Sequence, residues 1–479
     1  MLKRILCLLL SGLMLMSTVA CAANDTDGEV NSDTTASATE DEEAELKPDL
    51  PEKDFGGEAF RILGSKTGLD YVLSENTKGE EVNDALVSAN LSVSNQFNVD
   101  FETILVSNEE DTSIIRAYIM AGNDEYDVAY LHDCATANMS LEGWFLNIYD
   151  VPYLNPTAPW WPQFTVESLT LNEKMYYYSN YTSYLALSWT WGVFFNQKIL
   201  QDQNLESPYK YVREGTWTLE KITEMSKNIY SDLNGDGFSD TGDLLGFSFS
   251  QMPYAWLESF GIEVWEKASP TSGELNVVVD ERCYNLIESL HNWFHSGDDG
   301  VLVNFNGLPT HSNEVFTSNR LAFTFERIGT LAPLAMEANI EYGIVPIPKM
   351  DMSQEDYYAG CHDKLFSIPT TVVNTERVGV IMEAMAYEGY KRILPAYCET
   401  TLKTRLATDP DCGEMLNLIF DKQVISFSYL LNRQVSGGGI QIRLITETTE
   451  QNNVASFLQA KQKREQQVLK KITKFYEKD

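Results

Sequence analysis

Basic residues are scarce in this sequence: 35 Lys and Arg stand against 70 Asp and Glu, a formal net charge of −35 over 479 residues. Such a surface repels phosphate backbones and argues against nucleic acid as a partner. Histidine is scarcer still, with five residues at His132, His291, His295, His311 and His362. His291 and His295 share a helix face at i, i+4 without a carboxylate motif around them, so packing or solvent roles are expected there. Seven cysteines (Cys7, Cys21, Cys134, Cys283, Cys361, Cys398 and Cys412) form an odd, widely spaced set without C-x-x-C. Beyond the first two, buried free thiols are expected rather than a disulfide framework or a metal site. The sequence has no G-x-S-x-G, no H-E-x-x-H, no G-x-x-x-x-G-K-[ST] and no repeat of fixed period.

What is present begins with a leader. "MLKRILCLLLSGLMLMSTVAC" has a basic start (Lys3, Arg4), an apolar stretch from Ile5 to Met16 and small residues ahead of Cys21. That pattern is a secretory signal over residues 1–20. Its apolar run is interrupted by Ser11 and Gly12 and is shorter than the roughly 20 residues a spanning helix needs. Val19 and Ala20 before Cys21 resemble a bacterial lipobox, with Thr18 where Leu is usual, and "ACA" offers an A-x-A cleavage site as the alternative. Lipidation of Cys21 is the expectation, because residues 21–54 are rich in Asp, Glu, Ser and Thr and too poor in large apolar residues to fold. They form an acidic tether suited to an anchored protein, exported and held at the outer face of the cell membrane.

The remaining length fits two or three domains. Short apolar strands in "EAFRILG", "VDFETILV" and "YDVAYL" alternate with amphipathic stretches in "EEVNDALVSANLSVSNQFN" and "TSIIRAYIMAGND", which implies a parallel sheet covered by helices. The aromatic stretch "WWPQFTVESLTLNEKMYYYSNYTSYLALSWTWGVFFNQKIL" alternates in a way that fits strands leading to a helix near Asn196. Thr218 is placed to cap the helix in "TWTLEKITEMSKNIY", and Trp217 and Trp293, beside or within amphipathic helices, are expected in the core.

"DLNGDGFSDTGD" places oxygen ligands at positions 1, 3, 5, 7, 9 and 12 of a loop: Asp232, Asn234, Asp236, the Phe238 carbonyl, Asp240 and Asp243. Gly237 permits the sharp turn. Six oxygens at this spacing suit Ca2+, with Asp243 replacing the bidentate Glu of an EF-hand. "LLGFSFS" after the loop reads as a strand, so the expected ion is structural, pinning a loop, and not part of a paired sensor.

Taken together, the leader, "YDVAYL", "SYLALSWTWGVFFNQKIL", "GTWTLEKITEMSKNIY", "FTSNRLAFTFERIGTLAPL", "YGIVPIPK" and "KLFSIPTTVVN" resemble the extracellular solute-binding proteins of ABC importers, in particular the family 1, maltodextrin-type group. The resemblance covers nearly all of the chain after the tether. It implies a two-lobed α/β, periplasmic-binding-protein-like fold of type II, each lobe a sheet flanked by helices, hinged by crossing segments and closing on a ligand. By segment order it puts residues 55–184 and 320–362 in lobe 1, and residues 185–319 and 363–479 in lobe 2.

Carried onto this sequence, the resemblance puts His132, Asp133, Tyr184, Trp189, Tyr254, Trp256, Glu258, Glu326, Arg327, His362 and Asp363 near the cleft. Trp256 is the foremost stacking platform for a sugar face, with a core position as its alternative. Glu326 and Arg327 either meet the ligand or pair with each other. The implied role is a monomer without enzymatic activity that captures a carbohydrate, or another polar solute, for an ABC permease. An extracellular carbohydrate-active enzyme and a sensory binding protein stand as alternatives.

Overall fold

Alternate residues of Glu58–Gly64 (β1) face opposite ways: Phe60 and Ile62 enter one buried cluster and Leu63 another. A strand buried on both faces needs helices on both. The computed structural model describes residues 46–108, 112–249, 256–268, 272–303, 311–362, 364–399, 409–435, 439–449 and 451–478. Cys21, Tyr254 and Asp363 lie outside these, as do the leader and most of the tether.

β1 pairs in parallel with Val99–Leu105 (β2) on one side and Val128–His132 (β3) on the other. Helix Glu81–Phe97 connects β1 to β2 and stops at Asn98, whose φ of 50° is the left-handed conformation of a helix C-cap. Helix Ser113–Ala121 connects β2 to β3 and stops at Gly122 in the same conformation, at φ 69°.

The chain then crosses to Trp191–Asn196 (β4) and builds a second sheet from Tyr230–Ser231 (β5), Leu244–Phe249 (β6), Val301–Leu302 (β9), Leu321–Arg327 (β10) and Tyr342–Val345 (β11). Between β6 and β9 lies a hairpin of Trp265–Lys267 (β7) and Leu275–Val277 (β8). Ala359–Gly360 (β12) pairs in parallel with Gln423–Val424 (β14). Lys364–Ser367 (β13) returns to the first sheet, antiparallel to β3.

Both sheets have one plan. The first runs β2, β1, β3, β13; the second runs β9, β6, β10, β4, β11, with β5 also on the outer edge of β6. In each, three parallel strands stand in the order second, first, third. Next comes an antiparallel strand that has just arrived from the other lobe: β13 beside β3, and β4 beside β10. This is the two-lobed α/β fold that the motifs implied.

The allocation of the later segments is the reverse of the expectation. Residues 320–362 contribute β10 and β11, which pair with β4 and β6, so they belong to the second lobe. The segment beginning at 363 returns to the first lobe, where β13 pairs with β3 and helix Thr375–Glu388 packs on helix Glu81–Phe97. Helix Pro410–Asp421 packs on β11, so the last seventy residues are divided between the lobes. Either sheet would bury an apolar strand equally well, so composition does not choose between them; hydrogen-bond register does.

The aromatic stretch meets its expectation at its end, where β4 leads into helix Gln197–Asp202 capped by Asn196, and differs from it before β4. Instead of strands it contains helix Gln163–Leu169, isolated bridges Leu171↔Lys174 and Tyr178↔Phe366, and helix Leu185–Ser188. Its rings serve as plugs. Trp160 and Trp161 donate their Nε1 hydrogens to the Glu383 carboxylate at 2.6 and 3.0 Å. Trp217 and Trp293 are buried as expected, and the five described cysteines are free thiols. No helix among the described residues is long and apolar enough to cross a membrane.

Candidate functional site

An antiparallel strand beginning beside the end of a parallel one brings two loops to the same edge. In the first sheet, Lys364 of β13 is in register with His132 of β3, so His362, just ahead of β13, stands next to Asp133, just after β3. In the second sheet, Arg327 at the end of β10 is in register with Trp191 at the start of β4, and Trp189 meets Arg327 in the same way. Such carboxyl edges are where open α/β sheets place ligands.

The two edges meet at the crossing. Thr190 and Cys361 form an isolated bridge, and Gln423 of β14 donates from Nε2 to Thr190 Oγ1. Gly329 allows the close approach here: a Cβ at that position would run into Ser188 on the first crossing segment.

At the first edge, the buried Asp133 carboxylate accepts from its neighbour's amide, Cys134 N. It lies 3.0 Å from His132 Nδ1 and 3.7 Å from His362 Nδ1. Burial alone would raise its pKa, but hydrogen bonds and charge from the two histidines outweigh it and hold the carboxyl well below the usual range. His362 packs edge-on against Tyr429, with ring centroids 4.6 Å apart. Among the described residues, one group of three or more His, Cys, Asp or Glu brings its ligand atoms within 4.8 Å of one another: His132, Asp133 and Cys134.

Glu258, on helix Trp256–Ser259, is 4% exposed, and neither carboxylate oxygen has a hydrogen-bond partner among the described residues. Burial first, then the carboxylates of Glu263 and Asp133, push its pKa well above the ordinary value. Its helix packs against the crossing through Gly360 N, which donates to Ser259 Oγ at 2.9 Å. Glu263 is satisfied, accepting from Ser426 Oγ at 3.0 Å and Ser428 N at 3.1 Å.

The second edge is self-contained. Glu326 is 2% exposed and accepts from Arg327 N at 2.8 Å and Asn313 Nδ2 at 3.1 Å. Its carboxylate lies 3.7 Å from Arg327 Nε, so the pairing alternative for these two residues is the one the fold realises. The Arg327 guanidinium sits 5.1 Å from the centre of the Trp189 ring, a cation–π stack at the rim.

Two expected residues stand elsewhere. Trp256 is fully buried against Phe249, Phe325 and Phe294, so it is core and not a stacking platform. Tyr184 packs against Tyr71, the ring centroids 4.7 Å apart and the planes tilted by 54°, in a separate apolar cluster with Leu86, Ala89 and Ile393. Sequence reasoning missed Gln423 and Tyr429, which reach the crossing through β14 and helix Phe427–Leu430, and Glu263, which meets Ser426 and Ser428 from the turn ahead of β7; none of these segments has a periodic signal.

The acidic loop lies at the opposite end of β6, between β5 and β6. Gly235 and Gly237 take φ of 75° and 78°. Asp232 accepts from Gly235 N at 2.6 Å and Gly237 N at 3.0 Å, and Asp243 from Leu233 N at 3.0 Å. Asn234 Nδ2 bridges Asp236 at 3.0 Å and Asp240 at 3.4 Å. The donors are hard oxygens throughout, a set that fits calcium, although the carboxylates here turn to backbone N–H groups and to the Asn234 amide rather than to one common point.

No family model and no curated protein matches this sequence. Among solved structures it is similar to a maltose-bound MalE3 of T. maritima, at 14% identity and a TM-score of 0.48, covering 87% of this chain and 98% of that one. It is also similar to the maltose/maltodextrin-binding domain MalE of Bdellovibrio bacteriovorus bound to maltotriose, at 13% identity and a TM-score of 0.46, covering 88% and 98%. The fold assignment stands on the sheet orders themselves: a two-lobed, periplasmic-binding-protein-like α/β protein.

Proposed function

We propose that this chain is the extracellular substrate-binding lipoprotein of an ABC importer, anchored through Cys21, which captures a carbohydrate between its lobes and delivers it to a membrane permease. One observation carries the reading: the two sheets share a plan that turns both carboxyl edges, with their buried carboxylates, histidines, Arg327 and Trp189, toward a single crossing. A sugar needs flat rings for its C–H faces and carboxylates or amides for its hydroxyls, and the crossing holds both kinds. Solute capture needs no covalent chemistry from these groups.

The calcium reading of residues 232–243 belongs to the same proposal. A bound ion would pin the β5–β6 loop by taking the side-chain oxygens now occupied by backbone and amide hydrogens.

The test is thermal unfolding of the protein against a panel of mono- and oligosaccharides, with calcium and with chelator. A sugar present at about 100 times its dissociation constant adds about 2.7 kcal/mol of stability. A rise with one oligosaccharide series supports capture, and unchanged sugars in the recovered mixture separate capture from hydrolysis. Silence across the panel overturns the carbohydrate reading. Chelator should lower the midpoint of the native protein and leave an Asp236→Asn variant unmoved; equal behaviour of the two overturns the calcium reading.

A further inference from the structure

The helix after β6 that packs on the crossing carries a buried carboxyl, Glu258, with no hydrogen-bond partner among the described residues. The carboxylates of Glu263 and Asp133 both act on Glu258, whose two oxygens are buried. Burying a carboxylate without a partner is costly, so such a group keeps its proton unless a counter-charge visits the site. The neighbouring donors say which kind. A ring nitrogen of His132, the Asp133 carboxylate and Cys134 Sγ lie within 4.8 Å of one another, and His362 Nδ1 is 3.7 Å from the same carboxylate. Two ligands each about 2.0–2.1 Å from a tetrahedral ion stand about 3.3 Å apart, so the spacings of 3.0 and 3.7 Å straddle that value. Mixed imidazole, thiol and carboxylate donors suit a borderline-soft divalent ion, in contrast to the all-oxygen loop at residues 232–243.

We propose that His132, Asp133, Cys134 and His362 bind one divalent transition-metal ion of the zinc class at the lobe crossing, with Glu258 releasing its proton to solvent to balance the ion's charge. His132, whose side chain is 33% exposed, gives the ion its way in from solvent. The Cys134 thiol, now directed at the Tyr429 carbonyl 3.8 Å away, would lose its proton to solvent as the metal–sulfur bond forms. The ion would tie the end of β3 to the segment that enters β13, fixing the first edge whatever solute the cleft takes.

The experiment is calorimetric titration of the full chain, in detergent and stripped of metal, with zinc chloride, alongside absorption spectra with cobalt(II). One saturable zinc site is expected that calcium does not displace. Glu258→Gln should weaken it at least 10-fold and His132→Gln at least 100-fold, while His291→Gln, at the other histidine pair, leaves it unchanged. Cobalt should give a sulfur-to-metal charge-transfer band that Cys134→Ser abolishes. Both histidine variants alter partly covered positions, and circular dichroism checks their folding. Absence of saturable binding, affinity unmoved by the Glu258 and His132 variants, or a cobalt complex without the sulfur band overturns the proposal. The zinc titration uses no sugar, so its failure and that of the carbohydrate reading are separately visible.

Discussion

The two carboxyl edges have the same backbone construction and opposite electrostatics. At the β10–β4 edge, Glu326 is met by Arg327 and Asn313, and Arg327 in turn lies on Trp189. At the β3–β13 edge, two histidines answer Asp133, while Glu258, carried to the crossing on the helix after β6, has no hydrogen-bond partner among the described residues. The difference teaches that the fold supplies position alone. Whether an edge is closed on itself or left charged for a visitor depends on a few side chains brought in by the crossing segments. A buried carboxyl without a partner is costly to ionise, whereas one met by Arg and Asn side chains is not.

The largest effect should come from what backs the second edge. Trp256→Ala should destabilise the protein by about 3–5 kcal/mol, because the ring fills a fully buried space between β6 and β10. Urea denaturation measures this. A stable variant that has lost only ligand affinity would return Trp256 to the role of stacking platform and break the contrast between core and edge.

Asp133→Asn comes next, at about 2–4 kcal/mol near neutral pH, since it removes the charged partner of two histidines at a buried position. The folded pKa of Asp133 is depressed, so its contribution is complete above the unfolded value of 3.8 and is lost as the pH falls through the lower folded value. The gap between the variant and the native protein should therefore narrow on acidification below 3.8, as denaturation at several pH values would show. A gap independent of pH would mean that packing, not charge, holds this edge.

Glu258→Gln sharpens the comparison from the other side and should stabilise the metal-free protein by about 1–3 kcal/mol at neutral pH. Here the folded pKa is raised, so the native chain loses stability as pH rises above the unfolded value of 4.5; the variant's advantage is absent below that pH and grows above it. Loss of stability in the variant at neutral pH would show that Glu258 is satisfied after all.

The smallest effect belongs to the rim. Trp189→Leu should cost stability only about 0.5–1 kcal/mol through the lost stack with Arg327, while lowering sugar affinity in the thermal-shift assay. A large stability loss without an affinity change would place Trp189 in the core with Trp256.

Much of the scaffold was legible because its signals are local. The alternation in "EAFRILG" and "YDVAYL", the helical spacing through Val82, Leu86 and Val93, and the Gly122 stop each act within a few residues and recur in β1, β3, helix Glu81–Phe97 and the end of helix Ser113–Ala121. Thr218 does cap its helix, accepting from Lys221 N at 3.3 Å. The site was legible only in part. His132, Asp133 and His362 meet at the first edge, and Glu258 lies on the helix after β6 that packs against the crossing. Trp256 looked the same in sequence as a surface Trp, and only its three aromatic neighbours, drawn from β6, β10 and helix Glu281–Phe294, make it core.

By itself the sequence determined the alternation of strands and helices, the charge, the acidic loop and the residue types available to a site, because periodicity, composition and turn chemistry are properties of short segments. Tertiary structure alone decided that β10 joins β4 and β6 while β13 returns to β3. It also decided that Glu326 is neutralised and Glu258 is not, because register and burial depend on residues hundreds of positions apart that meet only once the chain has crossed between its lobes.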